Sequence, residues 1–116
     1  MSMASMCGII GFDNQSIYCA AKGGLVNMTR ELGCELAPYN ININAIAPGI
    51  IDTPAFEEAN LSLKLKENQE KFLKDIPLKR IGTVQDVTGV AVFLASEDAS
   101  YMCGSVVVVD GGYTAR

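Results

Sequence analysis

The stretch Ser16-Ile17-Tyr18-Cys19-Ala20-Ala21-Lys22-Gly23-Gly24 opens the longest helical pattern in the chain and places a phenol and an ammonium one turn apart. Positions i and i+4 of a helix share a face, so the two polar heads can converge on one small molecule. A serine, Ser5, lies thirteen residues before Tyr18. A phenol titrates near 10, and lowering that by two to three units takes roughly 3–4 kcal/mol of differential stabilisation, which a fixed neighbouring cation helps supply. A Tyr-Lys pair with a hydroxyl donor is suited to moving a proton on and off an alcohol or carbonyl oxygen. Taken alone the pair is also the common arrangement of a half-buried ring beside a solvated charge, so its surroundings must decide.

Working outward, the helix runs from about Ser16 to Leu36, with Leu25, Met28, Leu32 and Leu36 at helical spacing, and Pro38 stops it. Before it, Met1 to Ala4 reads as the tail of a strand, and Gly8, Gly11 and Asp13-Asn14-Gln15 mark a loop. After it, Asn42 to Ala47 is a short apolar strand ending at the Pro48-Gly49 turn signal. The charged stretch from about Glu57 to Lys74, with Leu61, Leu63, Leu65, Phe72 and Leu73 interleaved, predicts one or two amphipathic helices. They form either a solvated surface pair or a mobile lid over a substrate. Thr83 is placed to cap a helix over about Val84 to Ala95, whose apolar stripe is Val87, Val90, Ala91 and Leu94. Ser105 to Val109 is a continuous β-branched run, expected of a parallel strand buried on both faces. Strand, helix, strand, helices, strand predicts an α/β fold built of right-handed βαβ units in a doubly wound sheet.

Composition narrows the function. At 116 residues, with 49% hydrophobic and 19% charged residues, the chain is one domain or part of one and is not disordered. A net charge of −4 with no Lys/Arg cluster argues against nucleic acid and against anionic membranes as partners. No histidine occurs, which removes a histidine base and histidine metal ligands. Cys7, Cys19, Cys34 and Cys103 show no C-x-x-C pair and no metal-ligand spacing; they read as small buried hydrophobes with free thiols in a reducing, cytoplasmic compartment. Cys7, two residues past Ser5, is placed to line a substrate pocket. The opening residues lack the basic segment and long apolar run expected of a signal peptide, and no stretch of the sequence approaches membrane-spanning length.

Around the Tyr-Lys pair stand Asn44-Ala-Ile-Ala-Pro-Gly-Ile-Ile-Asp-Thr-Pro, then Arg80-Ile-Gly, Phe93-Leu-Ala-Ser-Glu-Asp-Ala and Gly104-Ser-Val-Val-Val-Val-Asp-Gly-Gly. In that order these resemble the short-chain dehydrogenase/reductase family over essentially the whole chain. The resemblance implies a partial Rossmann-like, doubly wound parallel sheet of about two to three strands with flanking helices. It also implies that residues 1–116 correspond to the carboxy-terminal portion of such a domain, without its amino-terminal dinucleotide-binding half and Gly-rich phosphate turn. Two departures from the family pattern are visible: Val84 stands where a proline is usual, and Cys103 where a threonine is usual.

In such enzymes a tyrosine exchanges a proton with the substrate oxygen while a hydride moves to or from a nicotinamide ring. By motif match the catalytic residues are Ser5, Tyr18 and Lys22. Tyr18 is the proton donor or acceptor, Lys22 favours the phenolate and reaches the nicotinamide ribose, and Ser5 polarises the carbonyl; Ser5 fits the spacing better than Ser2. Pro48, Gly49, Ile51 and Thr53 match the loop lying along the nicotinamide, so Tyr18, Lys22 and these four are the expected cofactor-binding residues. The resemblance assigns Arg80, Asp110, Gly111 and Gly112 to packing and subunit contact, with no chemistry. It implies NAD or NADP as cofactor, held weakly or not at all by this chain alone. The implied substrate is a small secondary alcohol or ketone, with a hint of sugars, sugar acids or polyols, and the full-length family member is expected to be a homo-oligomer. The isolated chain is expected to be inactive. The alternative is a non-catalytic truncated fragment, or a module that pairs with a full-length relative.

Overall fold

The computed structural model describes residues 1–58 and 65–115. Three short strands, β1 (Ser2–Met3), β2 (Ala45–Pro48) and β3 (Val106–Val109), form one parallel sheet in the order β1-β2-β3. Helix α1 (Ser16–Leu36) connects β1 to β2; α2 (Pro54–Glu58), α3 (Lys66–Leu73) and α4 (Val84–Leu94) lie between β2 and β3. The α/β architecture with parallel strands and flanking helices is the one the sequence predicts.

The central strand explains the layering. Ala45, Ile46 and Ala47 are fully buried, and alternation sends the two alanines to one face and Ile46 to the other. Ala45 and Ala47 pack with Ala4, Val26 of α1 and Val106; Ile46 packs with Ile51, Val109 and the α4 residues Val87, Val90, Ala91 and Leu94. Helices therefore cover both faces, and the α4 stripe is the one anticipated. The strands step in one direction across the sheet while α1 and α4 take opposite faces, so the two crossovers have opposite hands. The expectation of uniformly right-handed units is corrected. Among the described residues the β2–β3 connection carries three helices, which gives it the length to reach the far face and depart from the usual right-handed path.

Several local expectations also shift. β2 begins at Ala45 rather than Asn42, because the asparagines bond to the turn before β3. Asn42 Nδ2 donates to the Ser100 carbonyl at 3.0 Å, Asn44 Nδ2 donates to the Met102 carbonyl at 2.8 Å, and Asn44 Oδ1 accepts from the Ser105 N–H at 3.0 Å. β3 is an edge strand and Val108 is exposed, so burial on both faces is not realised. The face of α1 against the sheet is Val26, Thr29 and Gly33; Met28 is exposed, and Leu25, Leu32 and Leu36 are only partly covered. Small side chains are needed there because helix and turn approach closely: a Cβ on Gly33 would lie 2.6 Å from the Gly104 Cα. Cys7 is buried and Cys19 partly so, but Cys34 and Cys103 are exposed, against the expectation of four buried thiols. The charged stretch holds α2, starting at Pro54, and α3; Leu61 and Leu63 lie outside the described residues.

Candidate active site

Beyond β1 the chain stays extended through Ser5 and tightens into a 3-10 turn at Met6–Gly8. Ser5 is buried, and its Oγ accepts the Cys7 N–H at 3.2 Å, capping that turn. The cap uses one acceptor position of the hydroxyl and leaves its O–H able to donate. The turn sits hard against α1: a Cβ on Gly8 would lie 2.5 Å from the Lys22 carbonyl oxygen. That contact brings Ser5 alongside the first turns of α1, where Tyr18 and Lys22 project.

Tyr18 is about half exposed. Lys22 Nζ donates to the Met3 carbonyl at 2.8 Å and lies 5.6 Å from the Tyr18 ring centroid. The cation is thus moored to the end of β1 over the tyrosine ring, a distance at which the ring face attracts it. Ser2, the alternative serine, is placed elsewhere: its Oγ is 3.2 Å from Thr29 Oγ1 on α1.

The opposite wall comes from the end of β2. Gly49 packs closely on the end of β3, where a Cβ would lie 2.7 Å from the Asp110 Cα, so its missing side chain serves that contact between strand ends. Past it, Ile51 and Gly82 form an isolated parallel bridge, with the Gly82 N–H donating to the Ile50 carbonyl and the Asp52 N–H to the Gly82 carbonyl, both at 2.9 Å. This pairing leaves the Ile51 amide and carbonyl outside it. Thr53 follows, immediately before α2.

Ser5, Tyr18, Lys22, Pro48, Gly49, Ile51 and Thr53 all line one cavity of about 570 Å³. Cys7 lines it too, as its position after Ser5 suggested. Among the lining residues that had no site reading are Gln15, which passed as a loop marker, and Phe12 in the same loop; Phe72 lies in the stretch read as either a surface pair or a lid. Phe12 is fixed by Tyr113, ring centroids 6.3 Å apart. Arg80 and Asp110 lie outside this cavity. Burial pushes the Asp110 carboxyl up, but the Thr114 hydroxyl and N–H and the Gly112 N–H donate to it and hold it below its ordinary value. Among the described residues no helix is long and apolar enough to cross a membrane.

A parallel α/β sheet with helices on both faces and a cavity at its strand ends defines the class: a Rossmann-type fold. The family model described as enoyl-(acyl carrier protein) reductase matches residues 1–114, and the chain belongs to the short-chain dehydrogenase/reductase family. It is 44% identical over 111 residues to the 3-oxoacyl-(acyl-carrier-protein) reductase MabA of Mycobacterium tuberculosis, covering 95% of this chain and 42% of that protein. Among solved structures, 4-hydroxyisoleucine dehydrogenase complexed with NADH superposes with a TM-score of 0.90 at 31% identity, covering 98% of this chain and 46% of the other. Levodione reductase superposes with a TM-score of 0.87 at 43% identity, covering 97% and 45%. The chain therefore spans less than half the length of the relatives it matches.

Proposed function

We propose that this chain supplies the proton-transfer and nicotinamide-facing side of an NAD(P)-dependent oxidoreductase that interconverts a secondary alcohol and a ketone. The observation that carries the reading is the convergence of Ser5, Tyr18, Lys22 and the Pro48–Thr53 loop on one cavity. The donor set fits the nicotinamide end of the cofactor: an ammonium, a threonine hydroxyl and the Ile51 main chain turned away from the Gly82 bridge suit a ribose and a carboxamide, and the apolar walls suit a flat ring. When bound, the nicotinamide supplies or accepts the hydride.

The chain's own residues do the rest. The Ser5 O–H donates to the substrate oxygen and holds it at the end of β1. The Tyr18 hydroxyl gives its proton to that oxygen in reduction and takes it back in oxidation. Lys22, moored by the Met3 carbonyl, holds a positive charge beside the Tyr18 ring and has further N–H donors for a ribose. Phe12, Ile50 and Phe72 exclude water from the reacting atoms. The names of the relatives above, a 3-oxoacyl-(acyl-carrier-protein) reductase, a 4-hydroxyisoleucine dehydrogenase and a levodione reductase, each point to a ketone or a hydroxyl-bearing carbon, and a sugar, sugar acid or polyol offers the same secondary alcohol. We place the protein in a reducing, cytoplasmic compartment, and its full-length form in a homo-oligomer.

Residues 1–116 correspond to the carboxy-terminal portion of the domain, and most adenosine and pyrophosphate contacts in this fold come from the other half. The chain alone is expected to bind NADH and NADPH weakly and to turn over nothing; micromolar binding in isothermal titration sinks that expectation. For the chemistry, the chain is joined to the amino-terminal half of a relative and assayed for NAD(P)H-dependent ketone reduction. Tyr18→Phe is expected to lower kcat by about 10²–10⁴ while cofactor affinity stays within about threefold. An active chimera indifferent to Tyr18→Phe refutes the role, and the pairing-module reading then gains the ground.

A further inference from the structure

Two cysteines flank the proposed catalytic residues on separate elements that touch. Cys7 sits in the Met6–Gly8 turn, two residues past Ser5, and its N–H caps back onto Ser5 Oγ. Cys19 follows Tyr18 on the first turn of α1. Cys19 packs against the buried cluster of Met6, Cys7, Ile50 and Ile76, and the Cys7 and Cys19 thiols are near enough to interact side chain to side chain. One helical turn on from Cys19, Gly8 rests against the Lys22 carbonyl, so turn and helix are already in backbone contact. Both thiols are free, Cys7 buried and Cys19 partly exposed.

We propose that Cys7 and Cys19 are a reversible oxidation site, in which a peroxide converts the two thiols to a disulfide joining the Met6–Gly8 turn to α1. A disulfide needs the two side chains brought together across closely held backbones, and the shared cluster and the Gly8–Lys22 contact are the observations that point to it. The roles of the two thiols follow from their surroundings. Burial pushes the Cys7 thiol up from its ordinary value, and the neighbouring Cys19 pushes the same way, so Cys7 is the poorer first nucleophile. Cys19, the more accessible, attacks the peroxide: an S–O bond forms, the O–O bond breaks, and one oxygen leaves as water with the thiol proton. The Cys7 sulfur then attacks the Cys19 sulfenic sulfur; the S–S bond forms, the S–O bond breaks, and the departing hydroxide takes the Cys7 proton as a second water. Two thiols are oxidised and one peroxide is reduced to two waters. The bridge ties the segment that carries Ser5 to the helix that carries Tyr18, so the site records oxidation at the spacing its proposed chemistry depends on.

The test uses the whole chain carrying Cys34→Ser and Cys103→Ser, so that only this pair remains. The protein is treated in its native state with one equivalent of hydrogen peroxide, alkylated with iodoacetamide in denaturant, and cut with chymotrypsin after Phe12 to separate the cysteines. The expected product is a linked peptide pair lighter by two hydrogens, resistant to alkylation and released by dithiothreitol. Methionine sulfoxides are not reversed by that thiol and do not confuse the reading. If Cys19 runs on to sulfinic acid while Cys7 remains alkylatable, or if the cysteines link between molecules, the proposal is overturned. Should the double variant fail to fold, the unsubstituted chain is mapped in the same way. There the Cys7–Cys19 linkage is expected in about tenfold excess over any other pairing, and a spread over all pairings overturns it.

Discussion

Lys22 draws its position from an acceptor that no side-chain pattern advertises, the Met3 carbonyl at 2.8 Å. Lys22→Met keeps the stem and deletes that bond, and is expected to cost about 1 kcal/mol, the usual worth of one hydrogen bond, read as a lower urea midpoint at unchanged slope. A second prediction concerns the ion pair beside α4. Asp86 accepts from Arg80 Nη1 at 2.7 Å and Nη2 at 2.8 Å, and from the Thr83 N–H and hydroxyl at 2.7 and 2.9 Å. The Arg80 guanidinium and the Thr83 donors hold the Asp86 carboxyl well below the usual carboxylate range. The folded chain therefore takes up this proton less readily than the unfolded one. The stability is fully present above about pH 4, the unfolded carboxyl's range, and is lost as the pH falls below it. The melting temperature is expected to fall between pH 5 and about pH 2 more steeply in the unsubstituted chain than in Asp86→Asn; equal slopes would dismiss the pair as a source of acid sensitivity. At this scale the candidate site was largely legible, since Ser5, Tyr18, Lys22 and the Pro48–Thr53 loop announce themselves by residue type and spacing. Phe12 did not, because it reaches the cavity through a tertiary contact with Tyr113 that short-range spacing does not encode.

Helix α1 shows what an element conceals and what it reveals. Its limits, Ser16 and Leu36, were readable from a loop of Gly, Asp and Asn before it and Pro38 after it. Its buried face was not, because the leucine spacing points to one stripe while the sheet receives Val26, Thr29 and Gly33. Hydrophobic periodicity finds the apolar side of a helix, but close approach selects for the absence of bulk. Two glycines of α1 put this to the test. A Cβ at Gly24 meets nothing within 4 Å, so Gly24→Ala is expected to stabilise by up to about 1 kcal/mol through helix propensity. At Gly33 the same change drives a methyl into the Gly104 backbone at 2.6 Å. Overpacking of about 1–3 kcal/mol then outweighs the propensity gain, and the net effect is destabilising. Opposite shifts in denaturant midpoint are the expected signature; two shifts of the same sign would show that burial of α1 is not governed by that contact. β3 teaches the complementary lesson, for a run of four valines looks the same at a sheet's centre and at its edge.

On the scale of the whole molecule, the sheet presents an unpaired outer side of β1 among the described residues, and the exposed apolar side chains include Met3, Ile17 and Met28. An open parallel edge beside apolar surface favours association. The purified chain is expected to elute from size exclusion larger than a monomer and to grow with concentration; a clean monomer with one sharp melting transition would contradict it. The doubly wound plan was legible because strand and helix patterns alternate, whereas the opposed hands of the crossovers were not, since handedness lies in which face a helix chooses. The tilted contact of Tyr113 with Phe12 has a consequence for the site's wall. Phe12 lines the candidate cavity and Tyr113 braces it from behind, so a change at Tyr113 is transmitted to that wall although Tyr113 is not itself part of the lining.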